Sequence, residues 1–393
     1  MPGVRTQRRT ERIERRRAAR HGVMAAAASA VVAVGTVTGL VSAAGGEDAN
    51  DAARPEAISS PLTVPLPARP SPSPSPSTAP PSSPAASPKA SAKSAPRRSA
   101  RAETSAVGAR LYRHPQSQVL DWVRANPDDP RRPLIESRIA AQPAAVWFAA
   151  HNPGQIAGEV RAVTAGAAAA GRVPVLVPYA IPDRDCGGAS QGGAPGLAAY
   201  DRWIREFAGG LGGAPVIVIL EPDSIALADC LSDSERAARY ASLARAGRTL
   251  KAANPRAKVY FDAGHSGWHS APKQAAQLRA AGVADSGDGI FTNVSNFHRT
   301  ADEVRYARAV LAALGGPARL GALIDTSRNG NGTPGPGAWC DPEGRALGRT
   351  PTTATGEPRI DAYLWIKLPG ESDGCKGAAG TFTPDYAYDL ATG

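Results

Sequence analysis

The chain has 393 residues, with 45 Lys and Arg against 35 Asp and Glu, and its formal net charge of +10 suggests a polyanionic partner when taken alone. The distribution disfavours that reading: residues 1–105 hold 15 basic and 7 acidic residues, whereas 106–393 hold 30 and 28, so the part able to fold is nearly neutral and no nucleic-acid partner is expected. Much of the proline lies before residue 100, which leaves a composition after it that suits one globular domain.

The first 22 residues carry eight Arg and two Glu, and an apolar stretch from Val23 to Ala44 follows. A charged start, an apolar core and small residues at Val41, Ser42 and Ala43 read as an export signal over residues 1–44. An uncleaved signal-anchor is the alternative, because about 20 apolar residues can span a bilayer. Both place the rest of the chain outside the cytoplasm, and a membrane enters only through that anchor. Residues 45–105 are Pro, Ser and Ala-rich, a composition that cannot bury enough apolar surface to offset chain entropy and so reads as an extended disordered linker.

Residues 106–393 follow as a single domain, expected to be monomeric. The four cysteines, Cys186, Cys230, Cys340 and Cys375, all fall within it. An even count in an exported chain predicts two disulfides, and of the three pairings the sequence-local one, Cys186–Cys230 with Cys340–Cys375, is expected. No zinc-type spacing supports a metal site, and no cofactor is expected. Short apolar runs recur at 144–149, 173–181, 215–220, 258–263, 289–294, 320–325 and 363–367, and between them lie helical patterns such as 232–253 and 301–314. Apolar strands alternating with helices predict an α/β fold, a parallel sheet covered on both faces, and seven such units suit a closed or nearly closed barrel.

Polar clusters follow six of these runs, and loops at the C-terminal ends of parallel strands converge on one mouth. Carboxylates, a Lys, an Arg and tryptophans, without a His cluster for a metal, suit cleavage of a bond between sugars. That reaction needs one protonated carboxyl for the leaving oxygen and a second group for the water. A neighbouring carboxylate keeps the donor protonated, and Trp faces stack on pyranose rings. Glu221 is read either as a structural clamp or as a direct participant, Arg184 as an ion-pair partner fixing the aspartates, and Trp365 as core.

Four segments, Tyr179–Cys186, Ile219–Ser224, Asp262–Trp268 and Lys367–Cys375, resemble in this order the signature segments of glycoside hydrolase family 6, inverting cellulases built on a distorted seven-stranded parallel α/β barrel. The resemblance implies that Asp223 is the general acid and that Asp185 keeps it protonated. It implies Asp373 as the base, with water activated directly or through a chain, and Tyr179 as the residue that crowds the sugar at the cleavage point. It also implies substrate contacts from Asp262, Lys367 and Glu371, sugar platforms at Trp147, Trp268 and Trp339, hydrogen-bond donors at His265 and Asn296, and Ser190 on the loop after the first signature. A catalytic part of about 288 residues predicts an open cleft and internal cleavage of β-1,4-glucan. End-wise release of cellobiose, xylan or mixed-linkage glucan as substrate, and a non-catalytic glucan-binding protein are the alternatives. With no separate carbohydrate-binding module expected, soluble or amorphous glucan is the anticipated substrate.

Overall fold

The structure, a computed structural model, describes residues 110–393; the export segment and the whole of the linker lie outside the described residues. Seven strands form one sheet in sequence order, every neighbouring pair parallel: β1 Val146–Phe148, β2 Val175–Pro178, β3 Val216–Leu220, β4 Ala257–Asp262, β5 Gly289–Thr292, β6 Gly321–Asp325 and β7 Ile360–Leu364. Runs such as Val216-Ile-Val-Ile-Leu220 are buried at every position because both faces are covered.

Alternation then sorts the side chains. Val175, Val177, Ile217, Ile219, Tyr260, Phe291, Leu323 and Leu364 pack into one interior cluster. Their neighbours Leu176, Val216, Val218, Val259, Phe261, Ile290 and Ile324 pack with the helices in a second. The sheet is therefore curled, with its own side chains as a core. The edges β1 and β7 form no strand ladder with each other. Two hydrogen bonds span the seam: Ala145 N–H donates to Trp365 O at 2.9 Å, and Trp147 Nε1–H to Ile366 O at 2.7 Å. A third cluster joins Trp365 and Leu368 to Val119, Val123, Ile135 and Ile139 from the N-terminal helices and to Ala387 and Ala391 of the C-terminal helix Pro384–Thr392. Trp365 is core, as expected.

One helix keeps its expected bounds and one strand does not, each for an identifiable reason. Helix Asp233–Ala253 is capped by Ser232, whose Oγ accepts from Glu235 N–H while Glu235 Oε2 accepts from Ser232 N–H. The helix stops where Asn254 precedes Pro255. The last strand starts three residues earlier than the apolar run at 363–367. Its register with β6 shifts between Ala322 and Leu323, which pair with Ile360 and Ala362 and leave Asp361 as an inserted, exposed residue. That charged insertion interrupts the apolar pattern, and Trp365 to Lys367 fall beyond the strand.

Candidate active site

The strand-end acids divide into two sets with different work. Glu221, at the end of β3, is buried and takes the N–H groups of Ala180 and Ile181 on its two oxygens at 3.1 and 3.0 Å. Asp262, ending β4, takes Ile225, Ala226 and Gly264 N–H at 3.1, 2.8 and 2.9 Å. Asp325, ending β6, takes Ser327, Lys367 and Ser295 N–H at 2.9, 3.0 and 3.3 Å. Each carboxylate reaches sideways and ties the loop of a neighbouring strand, satisfying buried donors that no ladder can reach. Asp262 was expected to touch substrate. Instead it is 2% exposed, is absent from the cleft wall, and spends Oδ2 on the loop that carries Asp223 and Oδ1 on Gly264 N–H of its own loop.

The second set lines a cleft of about 1070 Å³ at the same end of the barrel. On one wall stand Asp223, Tyr179, Ser190 and Asp185, joined in a chain. Tyr179 Oη lies 3.5 Å from Asp223 Oδ2 and 3.0 Å from Ser190 Oγ, and Ser190 donates through Oγ and N–H to Asp185 Oδ2 at 2.9 and 2.8 Å. Burial, then the charges of Asp262 and Asp185, pushes the Asp223 carboxyl up to about 8. Asp262 is also raised by burial, but its three backbone donors favour its charged form, so the proton of this pair resides on Asp223. Both aspartates of the chain sit on strained backbone: Asp185 has φ +60° and Asp223 φ +69°, conformations that a residue with a Cβ adopts at a cost. The Cys186–Cys230 disulfide ties the two loops together beside them. Gly193, at φ +107°, lets the first loop return against β2, since a Cβ there would stand 1.9 Å from Ile181 O. Arg184 was expected to pair with the aspartates. Its guanidinium instead binds the carbonyls of Ala149, Tyr179 and Ser190 and lies 4.6 Å from the Tyr179 ring centre.

The other wall holds Lys367, Glu371 and Asp373. Asp373 Oδ2 accepts from Arg328 Nη1 at 2.8 Å and from Asp341 N–H at 3.2 Å, while Lys367 Nζ is 3.5 Å from Oδ1. Arg328 is fully buried, and Asp341 anchors the loop by accepting from Ser372 Oγ and the N–H groups of Asp373, Cys375 and Lys376. The Cys340–Cys375 disulfide fixes the same loop, so both disulfides pair as expected. Neither Arg328 nor Asp341 was singled out from sequence. Arg328 lies within the polar cluster after β6 and Asp341 follows Cys340, which is the signal that was present. Burial raises Glu371 to about 7.

Aromatic groups complete the walls. Trp147 is half-buried, its indole N–H bonded across the seam and its ring edge-on to Tyr179 at 5.2 Å, yet it lines the cleft, as do Trp268 and Trp339, the latter 58% exposed. His265 stacks on His298 at 4.1 Å, and burial holds it neutral by lowering it to about 3. Its Nδ1 accepts from Gly267 N–H, which leaves Nε2 as a donor. Asn296 spends one N–H on Val294 O and retains the rest of its amide for the cleft it lines. Among the described residues no group of three or more His, Cys, Asp and Glu is placed to hold a metal ion.

A protonated carboxyl on one wall, a carboxylate between two cations on the other and aromatic faces lining the cleft suit acid-assisted displacement at a sugar. The comparisons agree. The sequence profile described as "Glycosyl hydrolases family 6" matches residues 105–392. Endoglucanase 1 of Streptomyces sp. (strain KSM-9) is 53% identical over 75% of this chain and 82% of its own length. Endoglucanase A of Thermobispora bispora is 53% identical over 73% of this chain, which spans 62% of that relative. The endoglucanase Cel6 from Mycobacterium tuberculosis, solved in complex with methyl-cellobiosyl-4-deoxy-4-thio-β-D-cellobioside, superposes with a TM-score of 0.68 at 43% identity, covering 74% of this chain and 98% of the other. The chain belongs to glycosyl hydrolase family 6.

Proposed function

We propose that the protein is an exported endoglucanase that hydrolyses internal β-1,4-glucosidic bonds of cellulose or a soluble β-glucan, with inversion at the anomeric carbon. The observation that carries this reading is the continuous path from Asp223 through Tyr179 and Ser190 to Asp185. Asp223 holds a proton at neutral pH because burial and neighbouring charge disfavour its carboxylate. It gives that proton to the glycosidic oxygen as the bond from C1 breaks. A water attacks C1 from the opposite face, and its proton leaves through Ser190 toward Asp185. Asp373 is the alternative acceptor. Its oxygens already serve Arg328, the Asp341 amide and Lys367, so its part is electrostatic: a fixed charge facing the developing oxocarbenium ion. Tyr179, wedged between Trp147 and Arg184, crowds the sugar at the cleavage point.

Internal cleavage is supported by the compact catalytic part and by the two 53%-identical relatives, both endoglucanases. Export is supported by the N-terminal sequence and by two disulfides, which persist in oxidising compartments. The test is viscometry of a soluble cellulose derivative alongside reducing-end release. An early, steep fall in viscosity is expected; a slow fall with steady cellobiose release would replace internal with end-wise cleavage.

A further inference from the structure

We propose that Gln118, in the first turn of helix Gln118–Ala125, is a positioning residue for substrate binding, holding Glu371 so that one of its oxygens faces the cleft. Its amide sits at a junction of three chain segments. Nε2 donates to Glu371 Oε1 at 3.0 Å and to Gly380 O at 2.7 Å, and Oε1 accepts from Phe382 N–H at 2.9 Å. Glu371 is bridged to Phe382 in the backbone, so the side chain and the loop behind it are held by the same amide. With Oε1 occupied, Oε2 accepts from no protein group among the described residues, and Gln118, Glu371 and Gly380 all line the cleft. A carboxylate fixed by one oxygen presents the other as an acceptor for a glucosyl hydroxyl, with its orientation set before substrate arrives. The Gln118 amide is 253 residues away in sequence from its partner and matches none of the family's signature segments.

Titration of Glu371 gives the proposal a readout. Burial raises it to about 7, while Lys367, Arg328 and the Gln118 amide pull it down and Asp373 pushes it up. Removing the amide therefore raises it further. The ionised form is the better acceptor, so KM rises as pH falls through the Glu371 pKa, and without Gln118 this rise begins at higher pH.

The inference rests on the reading of Glu371 as a substrate contact, and the experiment separates the two. Glu371→Gln, Gln118→Met and Gln118→Glu are compared in the full chain for kcat and KM on cellohexaose between pH 5 and 9. The expected result is a KM about tenfold higher for Gln118→Met at pH 7, the effect falling on KM more than on kcat. The pH dependence of KM moves to higher pH, further so for Gln118→Glu, and melting temperatures stay close because the position is exposed. If Glu371→Gln raises KM while both Gln118 variants leave KM and its pH dependence unchanged, the proposal is overturned. If the Gln118 variants lower the melting temperature without moving the pH dependence, Gln118 is a structural latch only. If Glu371→Gln itself leaves KM unchanged, the reading beneath the proposal falls with it.

Discussion

Asp223 and Asp262 show how identical side chains on adjacent strands take different work. Both lie at the end of a buried strand and both are raised by burial, but Asp262 is covered and satisfied by three backbone donors whereas Asp223 lines the cleft. The direction of the Asp223 shift fixes a pH dependence. With Asp223 as the proposed acid, protonated below about 8, kcat is expected to fall as pH rises through that value. Asp185→Asn removes a negative neighbour and lowers the Asp223 pKa, so the alkaline limb of the variant lies at lower pH. Asp223→Asn loses at least about a hundredfold in kcat while retaining cellohexaose binding by calorimetry. Stability falls in the same direction with pH, over a lower window. A carboxyl raised in the folded state favours folding at low pH, and this contribution is lost as pH rises from its unfolded value toward 8. Asp223→Asn thus melts higher than the wild type at pH 9 and near it at pH 5. The motif segments pointed to Asp223, Asp185 and Tyr179, which the structure joins in one hydrogen-bonded chain. Asp262 misled because a carboxylate that faces the mouth and one that turns sideways to a neighbouring loop leave the same trace after an apolar run. Gln118 was invisible because its partners lie 253 to 264 residues away, whereas Arg328 and Asp341 left only a polar cluster after β6 and an adjacent cysteine as signals.

At the level of elements, the site is as rigid as the clamps between successive strand ends. Asp262→Ala strands three buried N–H groups, a loss on the order of 3 kcal/mol or more that lowers the melting temperature by roughly 10 °C. Such a variant also loses turnover, since the Asp223 loop is what those donors hold. The Cys186–Cys230 bridge spans 44 residues, and loop-closure entropy assigns it about 4 kcal/mol. Replacing both cysteines with serine reduces thermal stability, and kcat falls more than KM rises because Asp185 adjoins the bridge. Six of the seven strands were readable to within a few residues from continuous apolar runs. The seventh slipped because Asp361 is inserted at a bulge, and periodicity has no way to register a residue that the ladder skips.

Across the whole molecule, the barrel is a curled sheet whose edges meet through two hydrogen bonds at the end that carries the cleft. Seven strands leave a seam where an eighth would stand, and the third hydrophobic cluster covers it with helices from both ends of the domain. The cleft borrows its walls from both sides of that seam: Trp147 and Tyr179 from one, Lys367 to Asp373 from the other. This architecture sets Asp223 and, through Tyr179 and Ser190, Asp185 along one chain in the cleft, and the proposed roles of the two predict inversion at the anomeric carbon. The most direct test is a proton NMR time course of the protein with cellohexaose, following the anomeric signals of the newly formed reducing end. Early appearance of the α-anomer, with β formed only by mutarotation, is the predicted result. Early β-anomer would mean retention through a covalent intermediate and would contradict the roles assigned to Asp223 and Asp185.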